Sequence, residues 1–254
     1  MEGKSLRAGA VAGLKRIRHP ISVARKVMEL SPHVLLVGEG AQRFAKAIGF
    51  KEEELWDERA KSNYNAIMEG KKLLFPRNAS KEYIELYKYY DKRLPELMRE
   101  KKLKEWYRKL SFEKHGTTNV IALDQQQNLV VGVSTSGLAL KFPGRAGDSP
   151  VIGAGNYCNS LAGAACTGTG ELAIRLCLAR TVVYLYENGL SIKDAAIKAI
   201  KKLGELNEKG VIHILAMDHK GNAIGVSNKE DLHYFYANDQ TKELEKRDSI
   251  FVEL

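Results

Sequence analysis

Two segments of this chain repeat one pattern, in which an apolar run is followed by a polar turn opening on Asp and closing on Asn, and then by a second apolar run. The first reads LDQQQNLVVGVS from Leu123, the second MDHKGNAIGVS from Met217. Short apolar runs on both sides of such a turn are the mark of a β-hairpin, because Asp and Asn side chains bond the turn's own backbone. The pattern predicts two similar hairpins, not a solenoid repeat: Val120 to Leu123 with Leu129 to Ser134, and Val211 to Met217 with Ala223 to Val226. Around them, helical spacing marks Ile21 to Leu30, Ala41 to Ile48 ending at Gly49, and Ser191 to Leu206. A further helix is expected from Glu171, with Leu172, Ile174, Leu176, Leu178, Val182 and Val183 as its apolar positions. Val34 to Val37 reads as a short strand.

With 254 residues, 44% of them hydrophobic, the chain can bury a sizeable core, and its composition suggests a single globular domain. No apolar run approaches membrane-spanning length, so no membrane partner is expected. Lys4, Arg7, Lys15, Arg16 and Arg18 interrupt every apolar stretch near the start, which leaves no signal-peptide core. Cys158, Cys166 and Cys177 are odd in number and lack CxxC spacing, so neither a disulfide framework nor a zinc site is indicated. A cytoplasmic protein without metal or cofactor is the expectation. Cys166 reads as a small buried thiol in preference to a nucleophile.

Residues 71 to 115 differ in character, holding fourteen Lys or Arg against seven Asp or Glu and so most of the chain's formal net charge of +9. Tyr83, Tyr87, Tyr89, Tyr90, Trp106 and Tyr107 are interleaved with the charges. Such a stretch can bind nucleic acid through phosphates and base stacking. The preferred reading is a partly helical, solvated linker, with no nucleic-acid partner.

This segment ends at His115, and Gly116 and Thr117 follow it directly. A threonine hydroxyl is a weak nucleophile near neutral pH and needs an adjacent base. If the bond between Gly116 and Thr117 breaks, Thr117 gains an α-amine that titrates at about 7.7–8.0 and can accept the hydroxyl proton. Glycine before such a bond suits a strained backbone. In the predicted hairpin Thr117 opens one strand and Thr135 lies near the end of the other, so the two hydroxyls can be neighbours. Taken alone, the Gly-Thr pair is equally a turn leading into a strand.

Downstream, Gly144-Arg145-Ala146-Gly147-Asp148-Ser149-Pro150 sets a guanidinium near a carboxylate. The planar fork of Arg145 suits an α-carboxylate and Asp148 suits an α-ammonium, the two halves of an amino-acid head group. In isolation the same two residues form an ordinary surface ion pair in a turn. Thr167 and Gly168 precede the helix expected from Glu171, where a hydroxyl and backbone N–H groups can meet a developing oxyanion. Plain N-capping by Thr167 or Thr169 is the structural alternative. Gly168-Thr169-Gly170-Glu171-Leu172-Ala173 also fits the GxGxxA of dinucleotide sites. That reading needs a strand just upstream, and Leu161 to Cys166 reads only as a run of small residues.

Taken in order, HGT, STSG, GRAGDSP, GAGNY and ACTGTGE resemble the N-terminal-threonine hydrolases of the plant-type asparaginase, isoaspartyl peptidase and glycosylasparaginase family. The motifs lie between Lys114 and Leu178, and weaker similarity extends from Gly3 to the C-terminal strands. The resemblance implies an α+β fold, a four-layer αββα sandwich. It implies a precursor that cuts itself between Gly116 and Thr117, into an α chain of residues 1 to 116 and a β chain of residues 117 to 254, with two such αβ units forming a homodimer.

By the same resemblance Thr117 attacks the side-chain amide of asparagine or a β-aspartyl peptide, and Thr135 tunes it. Arg145 and Asp148 hold the substrate head group, and Thr167 and Gly168 form the oxyanion site. Glycosylated asparagine is the alternative substrate, made less favoured by the HGT sequence, since glycosylasparaginases usually carry an aspartate directly before the threonine, where this chain has Gly116. A catalytically inactive fragment or a nucleic-acid-binding protein is the remote alternative. Two departures stand out. Asn119 occupies a position often held by glycine, where it either crowds the site or adds a hydrogen bond. Met1 to Val11 resembles an internal stretch, so about sixty of the family's usual first residues are expected to be missing, leaving a strand edge and apolar surface without their cover.

Overall fold

The structure, a computed structural model, describes residues 1–58, 61–62, 65, 116–138, 141, 144–206, 208, 210–241 and 243–254. The basic segment at 71–115, including His115, lies outside the described residues. The chain divides into two compact units. The larger comprises Met1–Glu52, Thr117–Thr135 and Ala146–Leu254, and the smaller Glu53–Gly116 with Ser136–Arg145.

The larger unit mixes helix and sheet. It begins with β1 (Ala10–Ala12), α1 (Pro20–Leu30), β2 (Leu35–Val37) and α2 (Gly38–Ala47), with β1 and β2 paired in parallel. The first expected hairpin is present as β3 (Thr117–Leu123) and β4 (Leu129–Thr135), antiparallel over their full length. Then follow β5 (Asn156–Cys158), β6 (Ala162–Gly168), α3 (Gly170–Arg175), α4 (Leu178–Glu187), α5 (Ile192–Lys201) and a 3-10 turn at Lys202–Leu206. The second hairpin is β7 (Ile212–Asp218) and β8 (Ala223–Ser227); β9 (His233–Tyr236), β10 (Glu245–Asp248) and β11 (Ile250–Phe251) complete the unit. One five-stranded sheet runs in the order β11-β8-β7-β6-β5, antiparallel except for the parallel β11–β8 pair.

The echoed sequences form the same turn. Asp124 Oδ1 accepts from the backbone N–H groups of Gln126 and Asn128, and Asp218 Oδ1 from those of Lys220 and Asn222. In both turns the Asn side chain then donates to the second carboxylate oxygen, at 2.9 Å. Those bonds hold the Asp124 carboxyl below its ordinary range, the Asn128 side chain contributing most.

The alternation of strand β6, which lies between β7 and the edge strand β5, explains how the core divides. Ala162, Ala164 and Cys166 join Leu178, Val182, Val183, Ala196 and Ile200 in the main buried cluster beneath α4 and α5. Ala165, on the opposite face, packs with Val131 and Cys158 and with the half-buried Ile121 and Val133 of the β3–β4 hairpin. Small side chains on both faces let helices and hairpin close on one strand. Alanine and glycine are poor strand formers by themselves, so the expectation of a mere small-residue run here is corrected: burial on both faces outweighs propensity.

The helix expected from Glu171 is broken in two. Cys177 takes a left-handed conformation (φ 44°, ψ 51°) between α3 and α4, and the Thr181 hydroxyl donates to the Leu176 carbonyl that the break leaves open. The stretch from Ser191 to Leu206 keeps its α-helical form only to Lys201. Ser191 caps α5, its hydroxyl accepting from the Asp194 N–H at 3.1 Å while donating to the Asp194 carboxylate at 2.6 Å. Ser191→Ala should therefore lower stability by about 1 kcal/mol, read as a shift in the urea midpoint. Among the described residues no helix is long and apolar enough to cross a membrane.

Candidate functional site

Register places the first two candidate residues. Thr117 and Thr135 are direct cross-strand partners at the open end of the β3–β4 hairpin. On β3 the residues Thr117, Asn119, Ile121 and Leu123 are half-buried, and Thr118, Val120 and Ala122 between them are exposed. The inward face therefore carries Thr117 and Asn119, two positions apart, at a Cα spacing of about 6.6–6.8 Å. The Thr117 hydroxyl donates to the Thr135 hydroxyl at 3.1 Å. Withdrawing that proton toward Thr135 raises electron density on the Thr117 oxygen, the direction nucleophilic use requires.

Asn119 makes the second contact of this face. Its Nδ2 donates to the Thr167 hydroxyl at 2.6 Å, joining residues 48 apart in sequence. The odd-numbered face of β6, which carries Ala165 toward the hairpin, carries Thr167 the same way two residues on. Of the two expectations for Asn119, the hydrogen bond is realised. Thr167 is thus not an N-cap. Thr169 occupies the cap position of α3, but its side chain makes no bond into the helix, its hydroxyl instead accepting from the Val211 N–H at 3.2 Å. The capping alternative is set aside for both threonines.

Between them Gly168 adopts φ +129°, and a Cβ there would meet the Val211 carbonyl oxygen at 2.0 Å. Only glycine fits that position. The turn from β6 into α3 is locked to the start of β7 by Thr169 N–H donating to Val211 O at 2.8 Å. A strand does precede the GxGxxA sequence, correcting the expectation. The strand is β6, antiparallel to both β5 and β7, so the parallel βαβ unit of a dinucleotide site is not formed here.

Asp148 is 6% exposed, so its carboxylate does not lie on the surface. Glycines on two other motifs clasp its loop. A Cβ on Gly155 would lie 2.4 Å from the Asp148 carbonyl oxygen, and one on Gly170 would lie 2.8 Å from Asp148 Oδ1. The GAGNY and TGTGE motifs thus give Asp148 its place by letting backbone approach it closely. Cys166 is fully buried, and burial first, then the nearby Asp148 charge, push its thiol well above the ordinary range. Burial likewise pushes the Cys158 thiol up to about 11. Neither thiol is available as a thiolate at neutral pH.

Arg145 and Gly116 belong to the smaller unit. Arg145 is half-buried, and its Nη1 would lie 3.5 Å from a Cβ built on Gly137. Lys141 Nζ donates to the Ser136 carbonyl at 2.8 Å in the same loop. Gly116 is exposed. In the larger unit the structure brings Thr117 to Thr135 and Thr167 to Asn119, and it buries Asp148 beside Gly170. The partner of Asn119, Thr167, is 48 residues away and carries no signal in the local sequence.

A sequence model described as asparaginase matches residues 1–245 of this chain. The plant-type L-asparaginase of Pyrococcus horikoshii is 40% identical over 247 residues, covering 96% of this chain and 73% of that protein. The isoaspartyl peptidase of Escherichia coli is 37% identical over 245 residues, 94% of this chain and 68% of that protein. The N(4)-(beta-N-acetylglucosaminyl)-L-asparaginase of Elizabethkingia miricola is 35% identical over 221 residues, 84% of this chain and 55% of that protein.

Proposed function

The chain belongs to the asparaginase family, and on that premise we propose that it is an autoprocessing amidohydrolase acting on asparagine or β-aspartyl peptides. One Ntn-hydrolase domain, residues 1 to 254, is cut between Gly116 and Thr117 into an α chain of residues 1 to 116 and a β chain of residues 117 to 254. The two αβ units of a homodimer each adopt a four-layer αββα sandwich. What supports that layering is the pair of buried clusters on opposite faces of β6.

In the reaction, the Thr117 hydroxyl attacks the side-chain carbonyl carbon of the substrate and its proton passes to the Thr117 α-amine. The tetrahedral oxyanion is met by the Thr167 hydroxyl and the Gly168 N–H, donors already positioned as charge develops. Collapse expels ammonia, or the amine of the following peptide, which takes the proton and leaves an aspartyl ester on Thr117. Water, deprotonated by the same amine, then attacks the ester and releases aspartate. Thr135 orients the Thr117 hydroxyl before attack and, once that proton has left, can donate its own hydroxyl proton to the Thr117 oxygen. Asp148 takes the substrate α-ammonium and Arg145 its α-carboxylate, roles that rest on the GRAGDSP motif.

The observation that carries the reading is the 3.1 Å bond from Thr117 to Thr135, directly after the glycine at the expected cut. Relatives named plant-type asparaginase and isoaspartyl peptidase match more of this chain than the glycosylasparaginase does, so unglycosylated substrates are preferred. A denaturing gel with intact mass tests the mechanism. Two fragments meeting between Gly116 and Thr117 are expected, together with aspartate release from asparagine and a β-aspartyl dipeptide. A persistent single species of 28.3 kDa that still releases aspartate would contradict it.

Arg145→Ala should raise KM by roughly 10–100-fold, the cost of about 1.5–3 kcal/mol for a lost charge-assisted bond. Self-cleavage should continue, because the precursor bond has no free head group to clamp. Loss of cleavage would make Arg145 structural.

A further inference from the structure

We infer that Asn119 is a positioning residue, which fixes the Thr167 hydroxyl as a hydrogen-bond donor toward the reacting carbonyl. The inference rests on the amidohydrolase reading above. A threonine hydroxyl has one proton to give and two lone pairs to accept with. The Asn119 Nδ2 occupies a lone pair at 2.6 Å, so the Thr167 proton has to point elsewhere, and none of the described residues takes it. Gly168, the second proposed oxyanion donor, is the next residue, held by its own backbone geometry. The hydroxyl otherwise rotates, and a rotating donor loses part of its value to a transition state.

The side chain is held for this one contact. Asn119 Oδ1 is buried with no partner among the described residues, so the described hydrogen bonding of the amide is directed entirely to Thr167. The opposite orientation would make Oδ1 the acceptor of the Thr167 proton and leave two amide N–H donors without an acceptor. It would also turn the only proton of Thr167 away from the substrate. The position follows from strand periodicity. Asn119 lies on the same inward face of β3 as Thr117 and reaches β6 at the last residue before Gly168.

The test compares Asn119→Ala and Asn119→Asp with the unaltered chain, each kcat normalised to the fraction cut before Thr117, with asparagine as substrate. Asn119→Ala should lower kcat roughly tenfold, a fraction of the 10²–10³ that loss of a whole oxyanion donor costs. KM should stay within about twofold, because the contact matters only once charge develops. Asn119→Asp should lower kcat further at neutral pH, since a carboxylate can only accept the Thr167 proton. Thermal midpoints should stay within a few degrees in both variants.

Unaltered kcat in either variant would overturn the inference, as would a loss confined to KM or one that follows a fall in thermal midpoint. An unaltered chain that neither cuts itself nor releases aspartate would refute the amidohydrolase reading first, and the inference with it. That failure is visible before any substitution is made.

Discussion

Thr117→Ala is expected to leave a single 28.3 kDa chain and to abolish aspartate release. Removing the nucleophile of a catalytic unit costs on the order of 10⁴–10⁶ in kcat, so no measurable turnover should remain. The same substitution should barely change stability. Thr117 is half-buried at the open end of its hairpin, and its described side-chain bond is the one to the Thr135 hydroxyl. A thermal melt matching that of the parent would therefore assign the loss to chemistry. Thr117→Ser keeps a hydroxyl and should retain cleavage at a reduced rate. Cleavage of the alanine variant before residue 117 would falsify the proposed mechanism, because no hydroxyl would be left to attack the Gly116 carbonyl.

The second large effect is expected at Gly168→Ala, by a different route. The added methyl would meet the Val211 carbonyl oxygen at 2.0 Å, and φ +129° is costly for any residue with a Cβ. Backbone here cannot yield cheaply, since Thr169 N–H donates to that same Val211 carbonyl and the Thr169 hydroxyl holds the Val211 N–H. Strain of about 1–3 kcal/mol in the backbone, with the clash added, should lower the urea midpoint clearly. Relieving the clash must move the end of β6, and Thr167 with it. A displacement of about 1 Å at such a group can cost 10²-fold in rate. Stability and kcat should therefore fall together, in contrast to Thr117→Ala. A Gly168→Ala chain as stable and as active as the parent would show that neither Val211 nor the turn constrains the site.

Local features of the chain were legible before folding was considered. The Asp124–Asn128 and Asp218–Asn222 turns are made by side chains bonding backbone within four residues, so their pattern is written in consecutive letters. Pairing of Thr117 with Thr135 follows from the first of these turns, because a hairpin's register is set at its turn. The Ser191–Asp194 cap is equally local. Strand β6 was not legible. Its Ala-Gly-Ala-Ala core has no strand propensity of its own and becomes a strand because helices and a hairpin press on its two faces. Nor does periodicity reveal the break at Cys177, since apolar spacing continues through it.

For the candidate site the division is the same. By itself the sequence determined the order of the chemical groups, the hairpin that brings Thr117 to Thr135, and the glycines that mark close backbone approach. Tertiary structure alone decided what those glycines approach, that Asp148 is buried between Gly155 and Gly170, and that Asn119 reaches Thr167 across the sheets. The physical reason is range. Turn and cap bonds close within a few residues and are selected by local composition, whereas a contact between residues 48 apart exists only after two sheets have stacked to bury their apolar faces.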